Sequence, residues 1–200
     1  MKTAKIISII GHPIFHPTWM MILLLVTGIT RFTPGNDLTF LAITFAMTCL
    51  LPALVIVMLK KWHFIDSYEM DERDDRLGPL FIMMLFLFVT FRFFNKIPLF
   101  SIYSFYLTTV IVTTILAFVI TFFWKISLHA LGWGCLTACL FIMTTASIRL
   151  YLLYFIGCII ISGIVAAARL KLKSHSNAQI YSGFAMGFAT VIVVFLLSMF

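Results

Sequence analysis

Arg169 and His175 stand six positions apart in a basic segment between two apolar stretches of this 200-residue chain. A guanidinium can bind two phosphate oxygens at once, and the N–H groups at the start of a helix favour an anion. A neutral imidazole beside that phosphate could attack phosphorus in line. The segment therefore suits a phosphate site. The alternative is an ordinary basic loop in which Lys171 and Lys173 contact lipid headgroups.

A second polar group consists of Lys125, Ser127 and His129, and His129 precedes His175 by 46 positions. Lys125 and Ser127 could bind phosphate oxygens, while His129 could protonate a leaving alkoxide. The interval holds two membrane-spanning helices and a tight turn, which would return the chain to the face where it started. We therefore predict one shared site, rather than a lysine anchor and a histidine that merely lie at the membrane interface.

Ten consecutive residues hold six of the chain's seven carboxylates: Asp66, Glu69, Asp71, Glu72, Asp74 and Asp75. Arg73 and Arg76 accompany them, so one interpretation is a solvated, salt-bridged cap. Glu69 lies one helical turn before Arg73 and could orient its guanidinium toward a phosphate. The other interpretation is a magnesium site, because acidic clusters bind magnesium diphosphates in membrane transferases. His12 and His16 could add ligands to such a site.

Transmembrane helices are the elements that must position these groups. Hydrophobic residues make up 62% of the chain and charged residues 10%, which is too little charge to cover a water-soluble domain. The apolar stretches suit helices of about 20 residues and lack the alternation of a β-barrel. We predict one all-α domain over residues 1–200, a polytopic bundle of six or seven spans. The predicted helices are 14–30, 38–59, 79–94, 99–123, 129–147, 150–168 and 180–199.

Seven spans would place the polar groups on one membrane face. The N-terminus and the connectors 60–78, 124–128 and 169–179 would share that face with every histidine of the chain, namely His12, His16, His63, His129 and His175. Ten of the fourteen basic residues also fall there, which by the positive-inside rule predicts the cytoplasmic side of the inner membrane. The net charge of +7 is then explained by topology and lipid headgroups, not by nucleic acid.

The segments 127–129 and 169–179 resemble the second and third motifs of the type 2 phosphatidic acid phosphatase superfamily, whose members are membrane lipid phosphatases. That family has Pro-Ser-Gly-His followed by Ser-Arg-x5-His-x3-Asp. This chain has Ser127-x-His129 and Arg169-x5-His175-x3-Gln179. Glutamine in place of the last aspartate resembles the branch that acts on polyprenyl and dolichyl diphosphates.

The first motif of that family, Lys-x6-Arg-Pro, has a less similar counterpart here. Arg76-Leu-Gly-Pro79 stands where Arg-Pro is expected, and Glu69 occupies the place of the lysine. Arg73, one turn earlier than Arg76, or Lys125 could supply the missing positive charge. The resemblance extends over about residues 66–190.

The resemblance implies a hydrolase acting on a phosphate or diphosphate monoester of a lipid, with no metal or other cofactor. It implies that His175 is the nucleophile that forms a phosphohistidine, and that His129 is the general acid. Glu69 and Gln179 would support them. The implied phosphate-binding residues are Arg169, Arg76, Arg73, Lys125 and Ser127. Two other classes stay open: a magnesium-dependent membrane transferase that uses the acidic residues 66–75, and a non-catalytic binder or transporter of anionic lipids.

Overall fold

The computed structural model describes residues 1–29, 36–65, 73–97 and 101–200. These residues form nine α-helices and contain no strand, which confirms the all-α prediction. The helices are α1 (Lys2–Ile10), α2 (His16–Val26), α3 (Asn36–Phe45), α4 (Leu51–Lys61), α5 (Leu77–Phe94), α6 (Ser101–Thr121), α7 (Leu128–Ala146), α8 (Ile148–Lys171) and α9 (Asn177–Leu197).

Seven segments of the described chain are long and apolar enough to cross a membrane. They are Lys2–Val26, Asn36–Lys61, Asp74–Phe94, Ser101–Thr121, Leu128–Ala146, Ile148–Lys171 and Asn177–Leu197. The protein is therefore a multi-pass membrane protein. Six or seven spans were predicted, and the described residues contain seven candidates.

The first span begins earlier than predicted and is interrupted. The sequence prediction started it at residue 14, but α1 precedes that point and a 3-10 turn at Pro13–Phe15 separates it from α2. The proline in each of the two His-Pro pairs explains the break, because proline lacks the N–H that would continue α1 and favours the first turn of α2. The nine residues of α1 are too few to be predicted as a membrane span from their hydrophobicity alone.

The second span is also irregular. A π-helical stretch, Ala46–Leu50, separates α3 from α4 just before Pro52. Proline cannot donate a hydrogen bond to the preceding turn, and a π-helical turn is a common local response to such a gap.

The chain divides into two compact units. The first consists of Met1–Pro13 and Lys125–Phe200 and contains α1, α7, α8 and α9. The second consists of Ile14–Trp124 and contains α2 to α6. In the second unit α5 packs on α6, and the buried rings of Phe94 and Tyr103 meet edge to face with their centroids 4.9 Å apart.

Within the first unit, α7 packs against both α8 and α9 and is the most buried of the candidate spans. Glycines allow the backbones of α7 and α9 to touch. A Cβ on Gly183 would lie 2.8 Å from the Ser127 carbonyl oxygen, and one on Gly187 would overlap the Leu131 carbonyl. Gly134 of α7 lies equally close to the backbone of α9. Small residues permit this approach in membranes, where helix association depends on direct packing.

We expect Gly187→Ala to lower the free energy of unfolding by about 2 kcal/mol or more, because the new methyl group would force α7 and α9 apart. Gly157→Ala is the matched control on α8, since a Cβ there meets no atom within 4 Å and alanine is the better helix former. Thermal unfolding in detergent measures the difference. Equal midpoints for the two variants would contradict the backbone contact.

Candidate functional site

The C-terminal end of α1 is bound to one face of α7. The carbonyl oxygen of Ser8 lies 3.0 Å from His129 Nε2, and Trp133 Nε1 donates to the carbonyl oxygen of Gly11 at 3.0 Å. His129 and Trp133 are four residues apart, so they share a helix face. The last carbonyls of a helix lack donors within that helix; Ser8 and Gly11 are buried, and a buried carbonyl without a donor is costly. Side chains of α7 therefore complete the end of α1.

Ser8 also joins two of the residues predicted to act together. Arg169 Nη1 donates to Ser8 Oγ at 2.9 Å, and the same oxygen lies 3.4 Å from His129 Nε2. Ser8 and His129 are only 6% and 8% exposed, while Arg169, near the end of α8, is half-buried. The structure thus brings Arg169 and His129 to a common buried hydroxyl that the sequence analysis did not single out.

His12 completes this group of side chains. Its ring meets the ring of His129 edge to face, with centroids 4.9 Å apart and planes at 84°. The Arg169 guanidinium lies within electrostatic range of the same ring. Unlike His129, the His12 side chain is exposed. Ser8, His12, His129 and Arg169 thus form one polar cluster at the end of α1.

His175 is held at the start of α9 by a capping box. Ser176 is the N-cap residue: its Oγ accepts from Gln179 N at 3.3 Å, and its own N–H donates to Gln179 Oε1 at 3.1 Å. Gln179 Oε1 also lies 3.1 Å from Nδ1 of His175, which is 7% exposed. The pattern Ser-x-x-Gln before an apolar run is a known sequence signal of a helix start, so this part of the geometry could have been predicted.

These contacts give the two histidines opposite tautomers. A backbone N–H can only donate, so the amide atom that accepts from Ser176 must be the oxygen of Gln179, and His175 must carry its proton on Nδ1. The lone pair of the neutral His175 ring is then on Nε2. A carbonyl oxygen can only accept, so His129 carries a proton on Nε2 where it faces Ser8. Any further proton exchange by His129 must use Nδ1.

The two motif-bearing helices meet at their first turns. The N–H of Ser127 donates to the carbonyl oxygen of Gln179 at 3.2 Å. Ser127 is completely buried, and its Oγ caps α7 by accepting from the N–H of Ala130 at 3.4 Å. Its hydroxyl, predicted to bind phosphate, therefore has a helix-capping role in the structure. Lys125, two residues earlier, is half-buried in the same unit.

Two further residues of the predicted site, Arg73 and Arg76, belong to the second unit. Arg73 is exposed, and its Nη1 donates at 3.3 Å to the carbonyl oxygens of Phe122 and Phe123 just after α6. Arg76, at the end of a 3-10 turn before α5, is 4% exposed. Glu69 lies outside the described residues.

Four of the six clustered carboxylates, including Glu69, fall in the segment 66–72, outside the part of the chain that the structure describes. Of the other two, Asp74 is exposed and Asp75 is buried. Within the described ranges, no group of three or more His, Cys, Asp or Glu side chains could hold a metal ion.

The chain matches no protein-family model, no curated protein and no solved structure. In the first unit Ser8 links Arg169 to His129, and Gln179 contacts His175 at the start of α9.

The tautomers are open to direct measurement. In ¹⁵N-histidine-labelled protein we expect His175 to carry its proton on Nδ1 and His129 on Nε2, as the acceptors Gln179 Oε1 and Ser8 O require. Gln179→Leu should shift the His175 nitrogen resonances, because the acceptor is lost, and should leave those of His129 in place. His63, which is exposed in the second unit, serves as the reference ring. A His175 proton on Nε2 would contradict the assignment.

Proposed function

We propose that this chain is a membrane lipid phosphatase, a divergent relative of the type 2 phosphatidic acid phosphatases, that hydrolyses a phosphate or diphosphate monoester of a lipid. The observation that carries the proposal is the His175–Gln179 contact at the start of α9, which leaves the lone pair of a buried imidazole on Nε2. A nucleophilic histidine needs this tautomer. The proposal assigns chemistry only to residues of the first unit.

In the first step, His175 Nε2 attacks phosphorus while the bond from phosphorus to the lipid oxygen breaks. The leaving alkoxide takes a proton from the His129 imidazolium, which must donate from Nδ1 because Nε2–H faces Ser8. The products are a phosphohistidine and the lipid alcohol, or the lipid monophosphate when the terminal phosphate of a diphosphate is attacked. In the second step, water attacks phosphorus, neutral His129 accepts the proton of that water, and the phosphorus–nitrogen bond breaks. Inorganic phosphate leaves and His175 is restored.

Arg169 supplies positive charge where negative charge redistributes in the transition state. Its Nη1 is oriented by Ser8, and a planar guanidinium can still present other N–H groups to phosphoryl oxygens. Lys125 is a second source of positive charge near the start of α7. Buried donors fixed before the substrate arrives stabilise charge more strongly than mobile donors in water.

The surroundings of the site suit a lipid substrate. Lys171, Lys173 and Tyr181 are exposed around the end of α8 and the start of α9, and such residues are typical of the membrane–water interface. The polar group of a lipid lies at that depth, with its apolar chains among the helices. By the positive-inside rule we place this face on the cytoplasmic side of the inner membrane.

His175→Ala should lower phosphate release from a panel of lipid phosphates by about a thousandfold or more, because it removes the proposed nucleophile. Binding of the lipid phosphate should persist, since Arg169 and Lys125 remain. Acid-labile radiolabel from a phosphate-labelled substrate should attach to the wild type and not to the variant.

Arg169→Lys should weaken both binding and turnover by about ten- to a hundredfold, as expected when charged hydrogen bonds are lost. Arg149→Lys makes the same substitution at the exposed opposite end of α8 and should change neither binding nor turnover.

Full turnover by His175→Ala would refute the proposed nucleophile. Loss of wild-type turnover with a chelator would instead favour the magnesium-dependent transferase, and binding without turnover would favour the anionic-lipid binder.

His129→Ala should slow release of a lipid alcohol by about 10²- to 10⁴-fold, the usual contribution of a general acid. A nitrophenyl phosphate should be affected far less, because nitrophenolate leaves without protonation. His63→Asn is the control for loss of an imidazole, at an exposed position with φ of 60° that asparagine tolerates. Equal slowing of both substrates would show that His129 is structural and not the acid.

A further inference from the structure

The proposed reaction uses Arg169 and His129 but leaves the end of α1 unexplained. Ser8 is 6% exposed, although serine is usually found at the protein surface. Two of its atoms make contacts. Its carbonyl oxygen accepts from His129 at 3.0 Å. Its hydroxyl oxygen accepts from Arg169 and also lies 3.4 Å from His129 Nε2. One residue of α1 thus contacts side chains from the start of α7 and the end of α8.

The local sequence holds this residue in place. Gly11 follows one turn later, and a Cβ there would lie 2.5 Å from Val165 Cγ2, so glycine lets α1 approach α8. Trp133 donates to the carbonyl oxygen of Gly11, and Pro13 prevents α1 from continuing. The helix therefore ends at Ile10, two residues beyond Ser8, and the carbonyls of Ser8 and Gly11 face α7.

Each contact fixes a property that the proposed chemistry needs. The carbonyl contact requires a proton on His129 Nε2, which directs proton transfer to Nδ1. The hydroxyl contact restricts rotation of the Arg169 guanidinium, so less conformational freedom is lost when the other N–H groups bind an anion. The ring of His12 packs on the ring of His129 and further limits its motion.

We propose that Ser8 is a positioning residue of the phosphoryl site, whose hydroxyl orients Arg169 while its carbonyl oxygen orients His129. The end of α1 is then an integral part of the site. This inference rests on the proposed function, because it assigns the oriented groups to phosphate binding and to proton donation.

Ser8→Ala removes the hydroxyl, and with it the bond from Arg169 and the longer 3.4 Å approach to His129 Nε2, but it keeps the 3.0 Å carbonyl contact that orients His129. We expect the affinity for inorganic phosphate and for orthovanadate to fall about tenfold, the usual effect of losing a hydrogen bond to a charged group. KM for lipid phosphate should rise in parallel. The ratio of rates with lipid and nitrophenyl substrates should stay at the wild-type value, since that ratio reports on His129.

Three further variants make the test specific. Ser162→Ala is the matched control: Ser162 is a buried serine of α8 whose hydroxyl donates to the Ile159 carbonyl of its own helix, and its loss should leave phosphate affinity unchanged. Ser8→Thr keeps the hydroxyl and should restore affinity. Ser8→Ala combined with Arg169→Lys should lose no more affinity than Arg169→Lys alone, since both act on one group.

Phosphate affinity comes from the thermal shift of the detergent-solubilised protein, so it can be read without turnover. If Ser8→Ala binds phosphate as tightly as Ser162→Ala, the positioning role is wrong, whether or not the protein hydrolyses lipids. If no lipid is hydrolysed but Ser8→Ala still weakens phosphate binding tenfold, the phosphatase proposal fails and the positioning role stands. If Ser8→Ala does not fold, Ser8→Cys, whose sulfur is a weak acceptor, is judged by the same criteria.

Discussion

A buried helix end must find donors for its last carbonyl groups outside the helix, and the first unit is organised around that requirement. Gly11 and Pro13 end α1. His129 and Trp133 of α7 then bind the carbonyl oxygens of Ser8 and Gly11, which have no donor within the helix. Those contacts draw the start of α7 to the end of α1. Arg169 then reaches the Ser8 hydroxyl from α8. Ser8, His129 and Arg169 therefore come together because the end of α1 needs hydrogen-bond donors from its neighbours.

A second packing constraint places His175 relative to this cluster. Glycines let the backbones of α7 and α9 touch, so the first turns of both helices meet in the Ser127–Gln179 hydrogen bond. Gln179 uses its backbone for that bond and its side chain to fix His175. The helix packing, the capping box and the histidine tautomer are thus connected through Gln179. A change in the packing of α7 on α9 would therefore disturb the contact that fixes the tautomer of His175.

Composition and hydrophobic segments predicted the helical fold and seven candidate spans, because those signals are local and strong. The spacing of the helices also predicted one site that contains Arg169, His129 and His175; of these residues, Arg169 and His129 both contact Ser8. Ser8 itself gave no signal, since its partners lie 121 and 161 positions away and no short-range pattern encodes such contacts. The helix-capping role of Ser127 has a local signal, because serine is a favoured residue at the start of a helix, whereas the resemblance predicts only that its hydroxyl binds phosphate.

The order of synthesis gives the end of α1 a role in biogenesis. A ribosome delivers α1 to the membrane first, but the donors for its carbonyl groups arrive only with α7, and Arg169 arrives later still, at the end of α8. Until then the carbonyl groups at the end of α1 lack the donors that bond them in the folded chain, and an unbonded polar group away from water is costly. α1 can reach its final place only after α7 and α8 have been made. The cluster of Ser8, His129 and Arg169 is consequently among the last parts of the first unit to form, and a chain that stops before the end of α8 lacks it.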